Sequence, residues 1–216
     1  LGHLPGLAQT RVDTLRVIVG FPPGGTTDAF ARRVSDKLRG SYANTVLVDN
    51  KPGAGGQLGV VTLKNAAVDG SHILYTPASM LTIFPHSYSK LGYAPSDVAP
   101  IGLGHSTDHG FVVGPAVPDS VKNLKDFIDW AKANPGKLSF GSTGIGSSMH
   151  LAGELFMREY GGQMVHVPFS NPGNATTNLI SGELQLMFQL IPGIASQVKA
   201  IFEKTSGVVD TDWYVE

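Results

Sequence analysis

The chain has 216 residues, a formal net charge of −1, 42% hydrophobic and 15% charged residues, and no cysteine. That length suits one large α/β domain or two of ordinary size, with a core too apolar for a disordered chain. The near-neutral charge without any lysine–arginine block argues against a nucleic-acid partner, and zero cysteines exclude disulfides, thiolate metal sites and cysteine nucleophiles.

No apolar run approaches the ~20 residues of a membrane-spanning helix. The opening Leu1–Gln9 lacks both a basic start and a full apolar stretch. It reads as the tail of a removed signal sequence or an expression remnant, without a fold role. Leu15–Phe21 is β-branched and bounded by Pro22-Pro23-Gly24-Gly25, which predicts a buried parallel strand. From Thr26 to Leu38, Ala29, Phe30, Val34 and Leu38 recur at helical spacing until Gly40 stops the run. A strand over Val46–Val48, a helix over Gln57–Ala67 and a strand over Ile73–Thr76 follow. Residues 80–100 read as irregular, broken by Pro85, Pro95 and Pro100.

Short apolar runs at 101–103 and 111–113 flank Gly104–Gly110, read as a crossing between domains. The rhythm then restarts: helix 124–133, strand 137–140, helix 147–160, strand 164–167, helix 175–180, strand 184–188 and helix 192–200. Strands alternating with helices predict a mostly parallel sheet covered on both faces in each half. The tail 201–216 does not continue this rhythm.

Four glycine-rich turns lead into helices: 22–28, 52–56, 141–148 and 170–174. The first amides of a helix are unpaired and its N-terminus is partly positive, so a glycine turn there lets an anion approach without a charged side chain. Each turn serves equally as an ordinary helix cap. In the first, Asp28 would repel an anion at direct contact, so it acts through water or caps the helix facing away. The turn at 141–148 adds hydroxyls, but no lysine follows Gly146, so it is no phosphate loop, and no Gly-x-Ser-x-Gly elbow occurs. His105, Ser106, Asp108 and His109 are the one cluster with catalytic residue types, and His105 with His109 could hold a metal. Glycines at both ends favour an extended hinge instead. His150 and His166 read as helix-surface or strand-end residues, and Phe84, Tyr88 and Phe169 as core or pocket lining.

The segments 21–28 (FPPGGTTD), 50–56 (NKPGAGG), 133–142 (ANPGKLSFGS), 150–156 (HLAGELF), 165–169 (VHVPF) and 186–188 (LMF) together resemble the tripartite tricarboxylate transporter receptors, the Bug-type periplasmic solute-binding proteins. The resemblance runs from about residue 15 to 200. It implies a two-lobed periplasmic-binding-protein-like (type II) α/β fold, with residues 11–104 as the first lobe, 105–200 as the second and 201–216 as part of a return segment. Ile201–Tyr214 resembles a later part of that return, as if an intervening segment were absent. The implied function is capture of a small carboxylate between the lobes, a di- or aromatic acid, by a monomeric periplasmic receptor that serves membrane permease subunits. Catalysis, cofactor and metal are not expected.

Carried over by resemblance, Pro23, Gly24, Gly25, Thr26 and Asp28 form the first anchor, the aspartate positioning ordered water. Ser142, Thr143, Gly146 and Ser147 form the second, Phe169, Ser170 and Gly173 close over the ligand, and Ser79 adds first-lobe contacts. Phe84 and Phe169 stand where the family has Asn and Tyr more often, which predicts a more apolar pocket. The rival reading is a small α/β hydrolase or transferase using His105, Asp108 and His109 beside an anion pocket.

Overall fold

The computed structural model describes residues 12–136, 138–169 and 171–191. The opening segment, Lys137, Ser170, the expected helix 192–200 and the tail 201–216 lie outside the described residues. Two compact units emerge, residues 12–77 with 92–104 and residues 78–91 with 105–191.

In the first unit β1 (Val12–Val19), α1 (Thr26–Leu38), β2 (Ala43–Asn50), α2 (Gln57–Lys64) and β3 (His72–Tyr75) alternate. The sheet is parallel throughout, in the order β2-β1-β3. Its central strand alternates at first, with Asp13 and Arg16 exposed, and is then buried without a break over Val17, Ile18 and Val19, each at most 1% exposed, as expected where both faces are covered. Helix α1 has the bounds that its apolar spacing predicts. Strand β2 outruns its short apolar signal because residues 43–45 pair with the start of β1, which is sheet partnership and not local propensity. The second glycine turn has positive φ at Gly53, Gly55 and Gly56, and glycines pack tightly beside it. A Cβ on Gly59 of α2 would lie 2.8 Å from the Gly20 Cα, and one on Gly20 would lie 2.5 Å from the Gly56 carbonyl oxygen.

The second unit begins with α3 (Ser79–Thr82) and α4 (Phe84–Ser87). This stretch was expected to be irregular and part of the first lobe. It instead folds as two single turns whose Met80 and Phe84 are buried and groups with the second unit. Then come β4 (His109–Val113), α5 (Leu124–Ala133), β5 (Ser139–Ser142), α6 (Ser148–Tyr160), β6 (Val165–Pro168), α7 (Pro172–Ser181) and β7 (Leu186–Leu190). The sheet order is β4-β7-β5-β6, with β4 antiparallel to β7 and the other pairs parallel.

The core of this unit is aromatic. The Phe111 ring meets those of Phe127, Phe156 and Phe188 edge-on at 5.0, 5.1 and 5.5 Å, the geometry that sets the positive ring edge against a negative face. Residues 101–103, the apolar run before the crossing, have no regular structure, and Ile101 and Leu103 are 85% and 81% exposed.

Candidate functional site

The first anchor is a turn at the C-terminal end of the central strand β1, where ligands gather in open α/β sheets. Gly24 has φ +83°, a left-handed conformation that favours glycine, and Gly25 caps α1 without any side-chain bond. Asp28 points back into the unit and is 2% exposed. Its Oδ2 accepts from the Gly24 amide at 2.9 Å and from Arg32 Nε at 2.9 Å, and its Oδ1 accepts from Asn50 Nδ2 at 2.9 Å. Asn50 also donates to the Phe21 carbonyl at 3.0 Å. Burial pushes the Asp28 pKa up, but hydrogen bonds from Arg32, Gly24 and Asn50, with the Arg32 charge, outweigh it and hold the carboxyl below its ordinary range.

The aspartate therefore shapes the turn from behind. The Gly24 amide is spent on Asp28, while those of Gly25, Thr26 and Thr27 have no acceptor among the described residues. Those three amides, unlike that of Gly24, are left open among the described residues. Pro23 is exposed beside them.

The second turn joins β5 to α6. Ser142 is fully buried, with its Oγ 2.7 Å from His166 Nε2 and 3.1 Å from the Gly144 carbonyl. Its hydroxyl is thus engaged within the unit, by His166 and the loop carbonyl. The Thr143 hydroxyl lies 3.7 Å from Met149 Sδ. Ser147 caps α6, its Oγ accepting from the His150 amide at 3.2 Å. The Gly146 amide donates to His150 Nδ1 at 3.1 Å. The amides of Ser148 and Met149, in the first turn of α6, have no acceptor among the described residues. The His150 and His166 rings stack with centroids 3.9 Å apart. Burial, and then neighbouring His150, press the His166 pKa from 6.5 down to about 4, so this ring is neutral at physiological pH.

The remaining expected residues are placed as follows. Phe169 packs, half-buried, against the cluster of Ala175, Leu179, Leu184 and Met187, and its amide donates to the Ser142 carbonyl at 2.9 Å. The Gly173 amide is taken by the side chain of Asn171, the cap of α7, at 2.8 Å. Ser79 opens α3 and belongs to the second unit. His109 Nε2 lies 3.0 Å from Ser148 Oγ; burial lowers its pKa, with Asp108 opposing. His105 is lowered by burial. Sequence reasoning missed Arg32, Asn50 and the histidine stack. Parallel register alone sets Asn50 opposite Val19, and no local signal in either segment announces it.

Parallel-dominated α/β units whose glycine turns open helices beyond the strand ends fit the class of periplasmic binding proteins, and solved structures of that class match. The chain is similar to the periplasmic binding protein BugD (29% identity, TM-score 0.75, covering 87% of this chain and 62% of that one). It is also similar to malate-bound MatC from Rhodopseudomonas palustris (25% identity, TM-score 0.72, covering 88% and 64%). Among curated relatives, a UPF0065 protein from the tcbD–tcbE intergenic region of Pseudomonas sp. (strain P51) is 32% identical over 196 residues, 90% of this chain and 57% of that protein. The chain thus spans about three fifths of the length of the proteins it matches. The model of the tripartite tricarboxylate transporter family receptor matches residues 30–212, and the chain belongs to that family. This is a family of binding proteins, so the hydrolase or transferase reading of His105, Asp108 and His109 falls.

Proposed function

We propose that this chain carries the ligand-gripping part of a monomeric periplasmic receptor that captures a small dicarboxylate and delivers it to the membrane subunits of a tripartite transporter. The observation that carries this reading is the start of α1. Its only first-turn carboxylate, Asp28, is turned inward and paired, while the amides of Gly25, Thr26 and Thr27 are left for an anion. The first turn of α6, in the second unit, offers a second anchor of the same kind, with the Ser148 and Met149 amides. Each anchor is built from backbone donors and suits one carboxylate, and a chain with two such anchors suits an acid with two charged ends.

The malate held by MatC supports a short dicarboxylate. An aromatic acid is less favoured, because Phe84 is 1% exposed and packs at a tilt against Tyr88, with ring centroids 4.7 Å apart, and so adds no apolar wall to a pocket.

Titration calorimetry with malate, succinate, citrate, benzoate and acetate tests the proposal, with Gly25→Leu as the blocking variant. Gly25 has φ −77°, and a Cβ there would meet nothing closer than the Pro22 carbonyl at 3.7 Å, so the fold tolerates a side chain. Malate or succinate should bind more tightly than acetate or benzoate. Gly25→Leu should abolish this binding while the protein stays folded, with only the small loss of stability expected of a poorer helix cap. Absence of binding by every dicarboxylate, or unchanged binding by Gly25→Leu, would refute the reading.

A further inference from the structure

The loop 143–147 that leads into α6 is pinned from two sides. From the end of α4, the hydroxyl of its capping residue Tyr88 donates to the Ile145 carbonyl at 2.5 Å. Its ring lies so close that a Cβ on Gly146 would be 2.9 Å from Tyr88 Cε2. Gly146 is buried, with φ +75°, and cannot turn without dragging the loop. From α6, His150 Nδ1 accepts the Gly146 amide at 3.1 Å.

An accepting Nδ1 must carry a lone pair, so the proton of the neutral ring sits on Nε2, which faces Glu154 Oε1 at 3.3 Å. A second proton can enter only at Nδ1, where it would confront the Gly146 N–H donor to donor. The titratable groups against His150 are Glu154 on its own helix and His166 from β6, stacked at 3.9 Å; β5 presents the Phe140 ring. His166 in turn holds Ser142, where the loop begins, at 2.7 Å. The two stacked imidazoles therefore hold the loop at both of its ends, His150 at Gly146 and His166 at Ser142.

We propose that His150 is the positioning residue of the second anchor, a neutral acceptor that holds Gly146 so that the loop is assembled while the ring is neutral and released when it is protonated. The consequence for ligand affinity rests on the receptor reading above; the consequence for Gly146 does not. The sign is diagnostic. If His150 served merely as a nearby positive charge, acid would tighten binding of a carboxylate, whereas release of the loop weakens it.

The test is amide-exchange NMR on the full chain, following the Gly146 protection factor as the pH is lowered from about 8 to about 5. Malate calorimetry is run alongside. In the wild type, Gly146 protection should fall with acid, and the malate dissociation constant should rise about tenfold, as expected for one lost hydrogen bond. His150→Asn keeps an acceptor near Nδ1 without titrating, so its Gly146 protection should stay flat with pH. The malate itself ionises identically for both proteins, so the difference between the two affinity curves is the readout. His150→Leu should leave Gly146 unprotected throughout. A Gly146 amide that titrates in His150→Asn as in the wild type, full protection in His150→Leu, or tighter malate binding by the wild type in acid would each overturn the proposal. If malate does not bind the wild type, the receptor reading fails for that ligand, and the exchange data still decide the role of His150. If His150→Leu does not fold, the wild type and His150→Asn decide it.

Discussion

Removing the Asp28 carboxylate separates a residue that shapes the first anchor from one that touches the ligand. In Asp28→Ala three donors lose their acceptor. Arg32 is half exposed and finds water, so its share is small. Asn50 Nδ2 keeps the Phe21 carbonyl, and the Gly24 amide sits in an exposed turn. Losing a charge-assisted bond, or leaving a buried donor unpaired, costs roughly 1–3 kcal/mol, and these mitigations hold the total to about 2–4 kcal/mol. At about 2–4 °C per kcal/mol for a chain of this size, the melting temperature should fall by roughly 5–15 °C. Asp28→Asn should fall by less, because an amide oxygen still accepts one donor while its NH2 opposes another.

The pH profile follows from the sign of the shift. Asp28 titrates below its ordinary 3.8 in the folded chain, so its stabilisation is present above that value and is lost as pH falls through the lower native one. The acid limb of the wild-type melting curve should therefore be steeper than that of Asp28→Asn. Calorimetric melts from about pH 7 to about pH 3 measure both effects. An Asp28→Ala protein that melts with the wild type, within about 0.5 kcal/mol, yet no longer binds malate would refute the reasoning and make Asp28 a direct ligand group.

Three further outcomes are expected. Gly153→Ala should lose about 1–3 kcal/mol, because the new methyl would press into the fully buried Phe140 ring; chemical denaturation that leaves the midpoint unchanged would count against that packing. Gly59→Ala should cost at least as much, since the obstacle is the Gly20 backbone and not a movable side chain, and its melting temperature is the check. His166 stays neutral in the fold down to about 4 while an unfolded histidine takes up its proton near 6.5. Stability should therefore decline as pH falls through that window, and His166→Gln, which cannot protonate, should flatten the decline.

The order of strand, glycine turn and helix was legible in the chain itself. Hydrophobic period and turn residues are local properties, and so α1 and α5 have the bounds that their apolar spacing predicts. Local signals failed where a distant partner supplied the stabilisation. Residues 43–45 become strand through β1, and the proline-broken stretch from residue 80 gains two turns by burying Met80 and Phe84. The glycine turns that open α1 and α6 were likewise readable, since glycine and a small capping residue before a helix are sequence features. Their chemistry was not.

Sequence by itself determined that Asp28 and Ser142 stand in turns suited to an anion, and the motifs around them determined the family. Tertiary structure alone decided that both side chains face inward, because their partners come from elsewhere in the chain. Asn50 lies 22 residues from Asp28, and His166 lies 24 residues from Ser142. A buried polar group must be paired wherever its partner comes from, and parallel register, which no local pattern encodes, brings those partners to the end of each sheet. The donors left for a ligand are thus backbone amides, whose identity is invisible in the side chains.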